Sequence, residues 1–180
     1  ALHAREVIKK LLVFARQMPA RKTAVDINQV VREGLFFLEA RCARADIEII
    51  YALDPDLPLA TADAAQINQV LVNLVVNALQ AMPDGGQLRI TTDADNKRVR
   101  LMVEDTGCGM TPDVLDRIFV PFFTTKDIGQ GTGLGLPVAQ GIIASHGGTI
   151  EAQSKVGRGT CVTISLPRFS TETIEDDANQ

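Results

Sequence analysis

The sequence lacks features on which several classes of protein depend. It has no tryptophan and one tyrosine among 180 residues, and its formal net charge is −4. Proteins that bind nucleic-acid strands combine a basic surface with exposed aromatic side chains, so this composition argues against a nucleic-acid partner. The three cysteines, Cys42, Cys108 and Cys161, are odd in number and lack metal-ligand spacing. They indicate reduced thiols in a cytoplasmic protein rather than a disulfide framework.

A membrane segment is also missing from the sequence. The long uncharged run at residues 64–83 contains six Asn or Gln side chains, which the core of a bilayer would penalise heavily. Apolar residues make up 46% of the chain, enough for one domain with a hydrophobic core and an appendage. We therefore expect no membrane span in this chain, and leave open whether a longer parent protein is anchored.

The common nucleotide fingerprints are absent too. The chain has no Walker A pattern ending in Gly-Lys-Ser/Thr, and its alternating glycines do not form Gly-x-Gly-x-x-Gly. It has instead two glycine-rich stretches between Asp105 and Leu136, formed by Gly107 and Gly109 and then by Gly129, Gly131, Gly133 and Gly135. Because glycine tolerates positive φ and lets the backbone approach a ligand closely, these stretches predict a binding loop. An ordinary mobile loop is the alternative from the glycines alone.

Hydrophobic periodicity predicts three regions. Residues 1–19 form the first region, with an amphipathic helix at 1–18 that is either half of a helical hairpin or dimer bundle or a helix folded back on its own domain. Residues 20–169 form an α/β domain, and residues 170–180 form a disordered acidic tail. Within the domain we predict helices at 27–44, 64–82, 112–119 and 136–146, and strands at 23–25, 47–53, 57–60, 88–92, 99–103, 149–154 and 160–166.

The predicted helix at residues 64–82 carries an uncharged amide face. Its members are spaced by three or four residues, which aligns them on one side of a helix: Gln66, Gln69, Asn73, Asn77 and Gln80. Neutral amide oxygens suit a site where a hard cation and phosphate oxygens meet. A helix interface whose amides bond each other is the alternative.

The alternation of the strand predicted at 99–103, continued to Asp105, places that carboxylate inside the domain. Val99, Leu101, Val103 and Asp105 share one strand face, and an interior carboxylate needs hydrogen-bond donors. A cap on the following turn is the structural alternative. Further along, the helix after Gly135 presents its N-terminus to the glycine run, where free N–H groups favour an anion.

Taken together, these stretches resemble the catalytic and ATP-binding domain of sensor histidine kinases, in the superfamily shared with gyrase-type, heat-shock chaperone and mismatch-repair ATPases. The resemblance covers roughly residues 23–167. The segment with Asn73 and Asn77 resembles the N box, and four further segments resemble the first glycine box, the F box, and the second and third glycine boxes: residues 105–109, 119–123, 131–136 and 157–160. Residues 1–18 are similar to the second helix of the dimerisation and histidine-phosphotransfer domain, and the N and F boxes look most like the nitrogen-regulation type.

The resemblance implies a fold and a site. The fold is a two-layer α/β sandwich of the Bergerat type with a mixed, largely antiparallel sheet, preceded by one helix of a dimerisation hairpin. ATP and Mg²⁺ are the implied cofactors. Asp105 would accept a hydrogen bond from the adenine amine with help from Thr160, Asn77 would ligate Mg²⁺, and Asn73 and Lys126 would act on the phosphates as catalytic residues. The other implied ATP-binding residues are Gly107, Gly109, Met110, Ile118, Phe123, Thr125, Gly131, Thr132, Gly133, Leu134, Gly135 and Leu136.

The implied activity is transfer of the γ-phosphoryl of ATP to a histidine on a phosphotransfer domain, for relay to a response regulator. Alternatives are a related protein-serine kinase or ATPase, and a non-enzymatic nucleotide-dependent binding module. Two departures from the family pattern matter. Hydrolytic members carry glutamate as general base at the position of Asn73, so hydrolysis is disfavoured here. Many members carry lysine at the position of Gln80, which leaves Lys126 as the main side-chain cation.

The sequence has no His-Glu-type box for the phosphoacceptor. Its two histidines, His3 and His146, lie in other contexts, and we expect neither to accept phosphate. The expectation is therefore the ATP-binding part of a larger, homodimeric kinase, cytoplasmic or the cytoplasmic part of a membrane-bound sensor, which does not complete autophosphorylation alone.

Overall fold

The computed structural model describes residues 20–125 and 132–170. The elements in these ranges, in chain order, are β1 (Thr23–Val25), α1 (Ile27–Arg44), β2 (Ile47–Leu53), β3 (Ala60–Ala62), α2 (Ala64–Ala81), β4 (Gly86–Ala94), β5 (Arg98–Asp105), α3 (Pro112–Leu115), α4 (Gly135–Ser145), β6 (Thr149–Lys155) and β7 (Gly159–Pro167). The predicted helix at residues 1–18 lies outside the described residues, as do residues 171–180 of the tail predicted at 170–180.

Five of the strands form one sheet in the order β2-β4-β5-β7-β6. β2 pairs with β4 in parallel, and the other three pairings are antiparallel. β1 and β3 form a separate antiparallel pair. Helices α1, α2 and α4 pack side by side with α2 in the middle, and each contacts a strand of the sheet. The predicted α/β sandwich with a mixed, largely antiparallel sheet is confirmed.

The core lies between this helical layer and one face of the sheet. Ile67, Leu71 and Val75 of α2 are fully buried, as are Leu88 and Ile90 of β4. The spacing of four residues on the helix and of two residues on the strand is what brings these side chains to a shared interface. The burial removes apolar surface from water, which is the main favourable term in folding.

Side-chain caps fix where α1 and α2 begin. Asp26 accepts a hydrogen bond from the N–H of Gln29 at 3.1 Å. Asp63 accepts from the N–H groups of Ala65 and Gln66 at 3.0 and 3.2 Å. Both aspartates immediately precede the first residues predicted for these helices, at the position where a side-chain oxygen satisfies N–H groups that have no intrahelical partner.

Two predicted elements differ from the structure by three or four residues at one end. The strand predicted at 57–60 is β3, Ala60–Ala62, because the chain up to Leu57 is still turning: the N–H of Leu57 donates to the carbonyl of Asp54. The helix predicted at 112–119 ends at Leu115. The chain continues in tighter turns, with N–H groups bonding carbonyls three residues back up to Val120.

None of the helices in the described ranges combines the length and the apolar composition that a membrane span requires.

Candidate functional site

A cavity of about 490 Å³ opens between α2, the loop after β5, the start of α4 and the start of β7. It brings together residues that are far apart in the sequence. Among the predicted site residues, its lining includes Asn73, Asn77, Asp105, Gly109, Met110, Ile118, Phe123, Thr125, Thr132, Gly133, Gly135, Leu136 and Thr160. Gly107 and Leu134 are described but do not line the cavity, and Lys126 and Gly131 lie outside the described residues.

Asp105 ends β5 at the cavity, with 7% of its surface exposed. Its Oδ1 accepts hydrogen bonds from the backbone N–H groups of Gly107 at 2.9 Å and Thr160 at 3.3 Å. Among the described residues, none donates a hydrogen bond to Oδ2. Burial raises the pKa of Asp105, and the two backbone hydrogen bonds act in the opposite direction. The carboxylate thus caps the turn with one oxygen and keeps the other for a donor in the cavity.

The loop after Asp105 packs between α2 and the β6–β7 hairpin. The N–H of Cys108 donates to the carbonyl of Ala81 at 2.9 Å, and a Cβ on Gly107 would collide with that same carbonyl. Gly109 has φ +66°, and a Cβ there would collide with the carbonyl of Lys155. Gly107 therefore serves close packing on α2, which is why it is absent from the lining, and Gly109 serves the turn itself.

The hydroxyl of Ser154, on β6, contacts this loop and the first two residues of β7. Its Oγ accepts a hydrogen bond from the N–H of Met110 at 2.8 Å and donates to the carbonyl of Gly159 at 2.9 Å. The same oxygen lies 2.9 Å from Oγ1 of Thr160. One side chain thus joins the loop after Asp105 to the first residues of β7.

Amides of α2 face the start of α4 at the other end of the cavity. Nδ2 of Asn73 donates to the carbonyl of Gly135 at 3.4 Å, and Nδ2 of Asn77 lies 3.9 Å from where a Cβ on Gly135 would stand. Gly135 and Leu136 line the cavity as the first residues of α4. The first N–H groups of a helix have no intrahelical acceptor, so this end of the cavity favours an anion.

Residues before and after segment 126–131 are hydrogen-bonded to each other. The N–H of Phe122 donates to the carbonyl of Gly133 at 2.9 Å, and Gly133 has φ +64°. The guanidinium carbon of Arg117 lies 4.2 Å from the centroid of the Phe123 ring, a cation–π contact. These contacts place Phe123 at the cavity wall.

Comparison with known proteins identifies this arrangement. The family described as histidine kinase-, DNA gyrase B- and HSP90-like ATPases matches residues 62–170, a range that contains the whole cavity lining. The chain belongs to this ATPase family. Within it, the chain is similar to sensor histidine kinases. It is 42% identical over 193 residues to the sensor kinase CckA of Brucella abortus (strain 2308), in an alignment that covers 99% of this chain and 20% of that protein.

Solved structures of histidine kinases share the fold. The catalytic domain of histidine kinase ThkA is 33% identical with a TM-score of 0.75, covering 82% of this chain and 96% of that one. Full-length ShkA in complex with AMPPNP is 30% identical with a TM-score of 0.75, covering 83% of this chain and 32% of that one. The chain spans 20% and 34% of the length of the first two curated relatives. The assignment to histidine kinase catalytic domains is confirmed, and the narrower nitrogen-regulation type stays a prediction.

His146 is a structural residue of this histidine kinase ATPase domain. Its surface is 2% exposed. Nε2 accepts a hydrogen bond from the N–H of Asp63 at 3.0 Å, and Nδ1 donates to the carbonyl of Ile142 at 2.8 Å. Both ring nitrogens are therefore occupied within the fold, which is incompatible with attack on a phosphoryl group. His3 lies outside the described residues.

Sequence reasoning missed several parts of the site. The apolar lining includes Leu74, Ala78, Val103 and Val162, which the periodic pattern identifies only as core. Cys108 also lines the cavity and is exposed, although its place inside the glycine stretch was a usable signal. Ser154 carried no signal, because a serine in an alternating strand is common and its three partners come from other segments.

Proposed function

We propose that this domain binds ATP with Mg²⁺ in the cavity and transfers the γ-phosphoryl group to a histidine on the phosphotransfer domain of its parent protein. One observation carries the proposal. A single cavity joins a buried carboxylate, two asparagine side chains and a helix N-terminus, in a chain that belongs to an ATPase family. These are the groups needed to hold a purine at one end and phosphates at the other.

The carboxylate end suits adenine. Oδ2 of Asp105 would accept a hydrogen bond from the exocyclic amine, with the hydroxyl of Thr160 as a second polar group. Met110, Ile118 and Phe123 supply apolar contacts for the ring or the ribose, and all three line the cavity. A largely apolar pocket with few, well-placed polar groups is the usual form of a small-molecule site.

The residues at the other end fit Mg²⁺ held jointly with phosphates. Among the described residues, no cluster of three His, Cys, Asp or Glu side chains could hold a metal. Mg²⁺ bound with nucleotides takes few protein ligands and completes its shell with phosphate oxygens and water, and the amide oxygen of Asn77 is a hard, neutral donor for it. When bound, the ion would neutralise charge on the phosphates.

Asn73 would position the phosphate end rather than activate water. Its hydrogen bond to Gly135 ties α2 to the first turn of α4, whose N–H groups would meet the outer phosphates. An amide cannot accept the proton of an attacking water, so transfer to a protein nucleophile is favoured over hydrolysis. Lys126, outside the described residues, stays the predicted cation for the phosphates. The N–H groups of residues 133–136 would also bind the outer phosphates.

The proposed partners follow from the family role. They are the histidine-phosphotransfer and dimerisation domain of the same parent, which would be a homodimer, and the receiver domain of a response regulator. Relay of the phosphoryl group from histidine to the regulator's aspartate would follow the step carried out here. We place these events in the cytoplasm, for a soluble parent or for the cytoplasmic part of a membrane-bound one.

The test is a reconstituted transfer. The chain would be mixed with a dimeric phosphotransfer domain from its parent and with Mg²⁺ and γ-labelled ATP. We expect acid-labile, base-stable phosphate on that domain, and much less with Asn77→Ala in place of the wild type. Acid-stable phosphoserine, or rapid phosphate release without transfer, would instead indicate a serine kinase or an ATPase. Nucleotide-dependent partner affinity without any phosphate movement would indicate a binding module.

A further inference from the structure

The hydrogen bonds of Ser154 determine where the hydroxyl proton of Thr160 points. Oγ of Ser154 has one proton, and the carbonyl of Gly159, 2.9 Å away, can only accept it. Oγ of Ser154 also receives the N–H of Met110 at 2.8 Å. Because the serine has no second proton, its contact with Oγ1 of Thr160 at 2.9 Å is a hydrogen bond alongside the bond to Gly159 only when Thr160 donates.

This proton count fixes what Thr160 offers to the cavity. Its only hydroxyl proton points at Ser154, so the lone pairs of Oγ1 are what remains for a ligand. Oδ2 of the neighbouring Asp105 is also an acceptor, and the two residues are linked directly, with the N–H of Thr160 bonded to Oδ1 of Asp105 at 3.3 Å. This end of the cavity thus presents acceptors side by side.

We propose that Ser154 is a positioning residue that sets purine selectivity through the hydroxyl of Thr160. The inference rests on the proposed nucleotide function and deepens it. Acceptors that face position 6 of a purine favour an amino group there, as in adenine, and disfavour a carbonyl oxygen. A hydroxyl that was free to rotate would offer its proton to that carbonyl and weaken the discrimination.

The experiment compares ADP with inosine diphosphate, which differ at the 6-position and at the protonation of the adjacent ring nitrogen. Dissociation constants for both ligands would be measured by calorimetry on the wild type, Ser154→Ala, Thr160→Val and the double variant. The readout is the ratio of the two constants. A merely structural role for Ser154 would weaken both ligands together and leave this ratio unchanged.

We expect the wild type to prefer ADP and Ser154→Ala to reduce that preference by roughly threefold to tenfold, the range of one ordinary hydrogen bond. In the Thr160→Val background the serine substitution should leave the ratio unchanged, because the hydroxyl through which it acts is gone. Ser154→Thr, which keeps the hydroxyl, should retain most of the preference. Ser165→Ala, on strand β7, is the matched control and should have no effect.

Three results would overturn the inference. An unchanged ratio in Ser154→Ala would show that the serine supports the loop alone. An equal change in the Thr160→Val background would show that it acts by another route. Failure of the folded wild type to bind ADP would remove the proposed function and the inference with it, and is distinguishable because the first two results require a binding wild type.

Discussion

Replacing Asp105 with asparagine separates recognition from folding at this site. The amide has nearly the size of the carboxylate, and its oxygen can still accept the hydrogen bonds from Gly107 and Thr160 that Oδ1 accepts in the wild type. What changes is Oδ2, which becomes an NH₂ group, and the charge, which is lost. Asp105→Asn therefore leaves the turn intact and removes the acceptor that would meet the adenine amine.

The expected effect on binding is large. A hydrogen bond to a charged group is worth about 1.5 to 3 kcal/mol, which corresponds to roughly tenfold to a hundredfold in the dissociation constant. The upper part of that range is appropriate because Asp105 is 7% exposed and the NH₂ group would face the adenine amine as a second donor. Calorimetric titration of ADP into both proteins measures it.

The expected effect on stability has the opposite sign. Burial raises the pKa of Asp105, so between its ordinary pKa and the raised one the folded state binds more protons than the unfolded state. Stability of the empty protein therefore falls as pH rises through that window, and the ionised carboxylate is unfavourable at neutral pH. Asp105→Asn removes this penalty, so we expect its melting temperature without ligand to equal or exceed that of the wild type.

Acidification provides a second check on the same carboxylate. ADP affinity of the wild type should fall as pH falls toward the raised pKa of Asp105, while the affinity of Asp105→Asn should be nearly independent of pH in that window. Equal ADP affinity in the two proteins would place adenine recognition elsewhere. A clear drop in melting temperature, with binding lost at every pH, would show that the carboxylate is needed for folding rather than for recognition.

Three further substitutions test other parts of the site. Asn77→Ala should abolish the strengthening of ATP binding by Mg²⁺ while leaving ADP binding without the metal close to wild type, measured by titration with and without EDTA. Gly159→Ala should destabilise the fold by more than Gly157→Ala, because both glycines have positive φ but only a Cβ at 159 would collide with a backbone carbonyl; for the control we expect about 1 kcal/mol in urea unfolding. His146→Phe should cost about 1 to 3 kcal/mol, since the part-buried hydrogen bond from the N–H of Asp63 would lose its acceptor.

The parts of the site that could be predicted from the sequence are those in which the repeat of one helix or one strand determines where the side chains point. Asp105 had to share a face with Val99, Leu101 and Val103, because side chains alternate along a strand, and all four are buried. Asn73 and Asn77 are four residues apart on a helix, and both line the cavity. In each case one local repeat decides the direction of the side chain, whatever packs against it.

The parts that sequence could not predict depend on contacts between segments. Ser154 bonds Met110, which is 44 positions away in the chain, and no local pattern specifies that meeting. The bounds of β3 depend on its pairing with β1, in which Thr61 lies opposite Ala24. Such features depend on how helices and strands pack against each other. The bounds of a strand predicted from composition alone can therefore differ from the observed bounds by several residues.

Helix α2 contacts both ends of the cavity. These contacts constrain its position along its own axis in addition to the constraint from core packing. The carbonyl of Ala81 holds the loop after Asp105 through the N–H of Cys108, while Asn73, eight residues earlier, holds the start of α4. At 1.5 Å per residue these two anchor points are ~12 Å apart along one rigid axis. A shift of α2 by one residue would rotate its side chains by about 100°, and would move the amides away from α4 while breaking the bond to the loop. The distance between the carboxylate end and the phosphate end of the cavity is therefore set mainly by a single helix.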